Sequence, residues 1–154
     1  METTMPMLEW DETFSVGVPA MDADNRRLFA LINDLRGSIS GGTDGKQMGK
    51  AITSLYNHFA CGILSEEVRL YKNGYPALDE QVRDHDRYLG QLRRLYARFL
   101  AEDADGKILG AELIEVLTEY VREHVVRADR LFGEFLNGVR TADAPCWMNQ
   151  DSWS

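Results

Sequence analysis

Residues 52–89 read ITSLYNHFACGILSEEVRLYKNGYPALDEQVRDHDRYL, and this stretch holds two helices and the turn between them. Upstream of the turn, Met48, Ile52, Leu55, Phe59, Ile63 and Leu70 fall on one helical face. Asn73-Gly74 supplies the residue types that close a helix in the left-handed conformation, and Tyr75-Pro76 stops it from continuing. Beyond the turn, Leu78, Val82, Tyr88, Leu89, Leu92, Leu95, Tyr96 and Phe99 mark a second amphipathic helix that ends near Leu100.

The same pattern continues outward in both directions. Before this pair, the turn formers Ser40-Gly41-Gly42-Thr43-Asp44-Gly45 follow a helix expected over roughly Ala20 to Ser38, with Leu28, Phe29, Ile32 and Leu35 on its apolar face. After it, the polar loop Glu102 to Gly106 leads into a fourth helix carrying Leu109, Leu113, Val116, Leu117, Val121, Val125, Leu131, Phe132 and Phe135. No strand pattern competes. Four amphipathic helices joined by short loops predict an all-α fold, an up-down-up-down antiparallel four-helix bundle. The expected division is an N-terminal arm over 1–19 with Trp10 and Phe14, the bundle over 20–139, and a C-terminal tail over 140–154.

A chain of 154 residues with 44% hydrophobic content suits one domain. The formal net charge of -8, without a long Lys/Arg cluster, argues against nucleic acid and anionic membranes as partners. The opening METTMPMLEWDETF lacks the basic and apolar regions of a signal peptide, and no apolar run is long enough to span a bilayer, so a cytoplasmic location is expected. Cys61 and Cys146 are too few for a disulfide framework and are expected to be reduced thiols, Cys61 at the edge of the buried face. The tail is rich in apolar residues for a chain end, with Trp147, Met148 and Trp153 after Pro145. It is expected to fold back over the bundle, with docking to a protein partner as the alternative.

Polar residues interrupt the apolar stripes. His58, Gly62 and Glu66 stand four apart on the second helix, stacked about 6 Å apart along its axis. Gln81 and His85 are four apart on the third, and His124 lies between Val121 and Val125 on the fourth, with Asp129 five residues on. Core carboxylates need a cation, a proton or a hydrogen-bond partner, and convergence of Glu66 and Asp129 with histidines favours a metal over isolated packing histidines. Asp129 sits awkwardly in this pattern, because five residues along a straight α-helix turn by about 140° away from His124.

Leu8-Glu9-Trp10, Ser15-Val16-Gly17-Val18, Met21-Asp22 with Leu28-Phe29, Gly74-Tyr75-Pro76, and His124 followed by Asp129 occur in an order that resembles the bacterial hemerythrins, over nearly the whole chain to about Gly138. That resemblance implies a four-helix bundle around a diiron centre that binds oxygen reversibly through five histidines, one glutamate and one aspartate. This chain has 3 histidines in all. Matched position by position, Glu66, His85, His124 and Asp129 keep the family's ligands, whereas Asn25, Gly62 and Gln81 stand where it has histidine. One iron thereby loses both of its imidazoles and the other keeps two of three. His58 lies two turns, about 12 Å, from Glu66 and is expected to pack or to contact a separate pocket.

The resemblance therefore implies a degenerate site holding at most one iron or other divalent metal, and not a standard carrier of O2. A metal-free regulatory or interaction bundle, with Glu66 and Asp129 paired to protonated histidines, is one alternative. A pocket for another small ligand, opened by the lost imidazoles at Asn25 and Gly62, is the other. No phosphate loop, nucleophile triad or acid/base motif supports an enzyme.

Overall fold

The structure, a computed structural model, describes residues 7–143. The expectation for the tail, from Ala144 through Cys146, Trp147, Met148 and Trp153, lies outside those residues. In chain order, a short 3-10 turn (Glu12–Phe14) precedes α1 (Pro19–Ser40), α2 (Gly45–Lys72), α3 (Leu78–Leu100) and α4 (Gly106–Glu119). α4 runs directly into a π-helical stretch, Tyr120–Asp129, and then into α5 (Arg130–Asp143), so these three segments are one rod and the fourth member of the bundle. α1 packs against α2 and α4, and α3 against the same two, which closes an antiparallel ring around a common core. Among the described residues there is no strand, and no helix is long and apolar enough to cross a membrane.

Local chemistry sets the helix ends. Pro19 begins α1, where its missing N–H costs nothing. Asp44 and Asp105 cap α2 and α4 by accepting from the backbone N–H of Gln47 and Lys107. Gly74, at φ 63°, makes the left-handed turn after α2. Tyr75 then inserts against Phe132 and Phe135, with ring centroids 5.1 and 5.2 Å away, and so ties the α2–α3 turn to the fourth rod.

The N-terminal arm is held by specific contacts. Asn33 accepts from the Leu8 N–H at 3.0 Å and donates to the Leu8 carbonyl at 2.8 Å. Asp22 accepts from Ser15 Oγ at 2.6 Å and from the Val16 N–H at 2.9 Å, and Trp10 and Phe14 close an aromatic cluster on Phe29. The arm crosses the fourth rod at Gly133, where a Cβ would stand 1.6 Å from the Val16 carbonyl oxygen. Backbone on both sides leaves no flexible end to yield. Gly133→Ala should therefore destabilise the fold by about 3 kcal/mol or more, read by urea unfolding, and unchanged stability would show that the arm is not seated there.

A candidate metal centre

Three of the bundle's four members bring donors to one buried point. Glu66 comes from α2, His85 from α3, and His124 and Asp129 from the π-helical stretch; one donor atom from each lies within 4.8 Å of all the others. All four residues are buried, His85, His124 and Asp129 completely. The imidazoles face one another through Nε2, 3.0 Å apart. Asp129 Oδ1 is 3.0 Å from His124 Nε2, and Glu66 Oε1 lies 3.3 Å from His85 Nε2 and 3.6 Å from His124 Nε2.

The outer edges of both imidazoles are also engaged. His85 Nδ1–H donates to Glu67 Oε2 at 3.2 Å, and His124 Nδ1–H donates to Asp84 Oδ2. A carboxylate behind each ring fixes the tautomer with the proton outward and leaves the Nε2 lone pair pointing in, which is how metal-bound histidines are held. Four inward atoms are then all acceptors, and in that tautomer neither Asp129 oxygen nor Glu66 Oε1 has a hydrogen-bond donor facing it. A divalent cation would satisfy the four together, so the residues fit such an ion.

Without one, a proton must serve. Burial pulls the His124 imidazole down, but hydrogen bonds to Asp129 and Glu66 and their charges outweigh it and raise its pKa to about 11. Burial and the nearby Glu66 charge push Asp129 well above the usual carboxylate range. For Glu66, burial works upward, and hydrogen bonds with Asp129, His124 and His85 overcome it and hold the group below the usual range. A metal entering this cluster must displace the proton on His124.

The π-helical stretch explains how Asp129 joins His124. Leu109, Leu113, Leu117, Val121, Val125 and Asp129 are all completely buried, one every four residues. Five such steps in an α-helix would drift by about 200° and carry the last residues out of the core. Widening to i→i+5 hydrogen bonds takes up that drift and brings a residue and the fifth after it close to one face. The expectation from a straight helix, which turned Asp129 away, is corrected accordingly. Tyr120, at the start of the stretch, stacks on the His124 ring at 4.8 Å between centroids and 14° between planes.

The positions without histidine behave differently from one another. Gly62 and Asn25 border a cavity of about 30 Å³ between α1 and α2, which Glu66, His58 and Arg69 also line. A Cβ on Gly62 would meet nothing within 4 Å. His58 stays out of the cluster and donates from Nε2–H to the Asp24 carbonyl at 2.9 Å, linking α2 to α1. Gln81 is buried on α3, one turn before His85. Cys61, expected at the edge of the buried face, is exposed, because it lies on the side of α2 away from α1 and α3.

Glu67, Asp84 and Tyr120 went unrecognised in the residue pattern. The first two carry a signal that could have found them, since each is an acid directly beside a ligand position in sequence, Glu67 after Glu66 and Asp84 before His85.

The family description "Hemerythrin HHE cation binding domain" matches residues 16–136. The chain belongs to the hemerythrin family. Three bacterial relatives are similar over most of their length. The bacteriohemerythrin of Methylococcus capsulatus is 22% identical over 134 residues, 86% of this chain and 99% of the relative. That of Ralstonia nicotianae is 25% identical over 132 residues, 86% and 90%. The bacteriohemerythrin of Stenotrophomonas maltophilia is 23% identical over 133 residues, 84% and 82%. In this hemerythrin-family chain, the buried cluster of two imidazoles and two carboxylates is a group that could hold a metal ion.

Proposed function

We propose that this chain binds one divalent metal, iron or another first-row ion, through Glu66, His85, His124 and Asp129, and that it is not a standard oxygen carrier. The observation that supports this most directly is the acceptor-only interior of the cluster, with each imidazole oriented by a carboxylate on its far side. A two-histidine, two-carboxylate set is chemically suited to such an ion, which when bound supplies a cationic centre to balance the two carboxylates. A second ion would have to rely on Asn25 and Gly62, and the glycine has no side chain to offer.

Metal analysis of protein purified without chelator, with a visible spectrum, tests this. At most one equivalent per chain is expected, and two equivalents of iron with an oxo-bridged spectrum would overturn the reading.

The cavity beside Gly62 supports a second reading, a pocket for a small polar ligand or water next to Glu66. Gly62→Leu would fill it. That variant should keep its metal and gain about 0.5 to 1 kcal/mol from helix propensity and filled space, measured by thermal unfolding. Loss of metal in it would show that the cavity is part of the ion's surroundings.

A further inference from the structure

Gln81 counts as a lost ligand when residue types alone are compared, yet it is a buried polar side chain on the face of α3 that carries His85. The side chain is only 3% exposed, and both its amide oxygen and its amide nitrogen are buried without a hydrogen-bond partner. Leaving both ends of a buried amide unpaired is costly, and a leucine would fill the same space without that cost. Gln81 stands one helical turn before His85 on the buried face of α3. It also shares the wall of a groove of about 450 Å³ with His124 and with Asp84, the carboxylate behind that ring.

We propose that Gln81 Oε1 is a fifth donor to the metal and sets which metal the site prefers. This rests on the metal-binding reading above. An amide oxygen is a hard, neutral ligand, and adding it makes three oxygen donors against two imidazole nitrogens. Oxygen-rich sets of more than four ligands suit manganese or ferrous iron better than zinc, which favours four ligands in a tetrahedron and richer nitrogen or sulfur donation. Of the three positions where histidine is missing, this one carries side-chain polar atoms that are buried without a hydrogen-bond partner.

Equilibrium competition on the full-length protein, comparing manganese(II) with zinc(II) in wild type, Gln81→Leu and Gln81→His, tests the proposal. Gln81→Leu should weaken manganese binding by about tenfold or more, the scale on which even supporting partners of a ligand count. Gln81→His should shift the zinc-to-manganese affinity ratio toward zinc by at least as much. Metal-free Gln81→Leu should melt higher than wild type, because two unpaired buried atoms are removed. Equal manganese affinity in wild type and Gln81→Leu, or a lower melting temperature for the metal-free variant, overturns the proposal and leaves the four-residue site standing. A wild-type protein that takes up neither ion overturns the metal reading and the proposal with it.

Discussion

His124→Ala should abolish metal binding and leave a weakened bundle. The imidazole touches every other member of the cluster: His85 Nε2 at 3.0 Å, Asp129 at 3.0 Å and Glu66 at 3.6 Å, with Asp84 behind it. Removing it takes away one of the cluster's two imidazoles and also the cationic partner of the buried Glu66 carboxylate. Uncompensated charges of this kind cost about 3 to 5 kcal/mol, so the metal-free variant should unfold at clearly lower urea than wild type. His85→Ala should likewise lose the metal. His58→Ala should not, since that ring spends its N–H on the Asp24 carbonyl outside the cluster. Metal equivalents after dialysis separate these cases, and loss of metal in the His58 variant alone would mean that α2 is misassigned by a turn or more.

The opposite change should create a second site. Asn25→His, Gly62→His and Gln81→His together would complete the family's ligand set on a backbone that already carries Glu66 and Asp129. Space is available for two of the three: Gly62 and Asn25 border the same cavity, and a Cβ on Gly62 meets nothing. At Gln81 an imidazole would replace an amide that has no partner. Two equivalents of iron per chain, with the absorption of an oxo-bridged pair, are expected. A variant that is folded by circular dichroism but binds only one would show that α1 and α2 have moved apart and that side chains alone do not account for the difference.

The fold was legible because each helix announces itself twice, by a three-and-four apolar spacing and by a stop signal such as Asn73-Gly74 before Tyr75-Pro76. Glu66 was legible through the resemblance, since matching position by position puts it where the family has its glutamate. Asp129 was harder. Its pairing with His124 depends on a local change of winding, and the only trace of that change in the sequence is the strict four-residue recurrence from Leu109 to Val125, which a straight α-helix cannot keep buried. Glu67 and Asp84 were missed because an acid beside a ligand looks like ordinary surface charge until the ring it supports is in place. Gln81 shows a different limit: residue type suggests a loss, and only burial reveals an unpaired amide.

The winding of the fourth rod has a mechanical consequence. α4 and α5 are two helices out of phase, and the π-helical stretch is the coupling that brings them back into step, so that Phe132 and Leu136 meet the same core as Leu113 and Leu117. Shortening the coupling by one residue would rotate everything after it by about 100°. Phe132 would swing away from Tyr75, and Gly133 would no longer lie beneath the Val16 carbonyl. The buried histidine and carboxylate cluster and the seat of the N-terminal arm, which share no side chain, are thus geared to the same few turns of backbone and can be lost together by a single deletion.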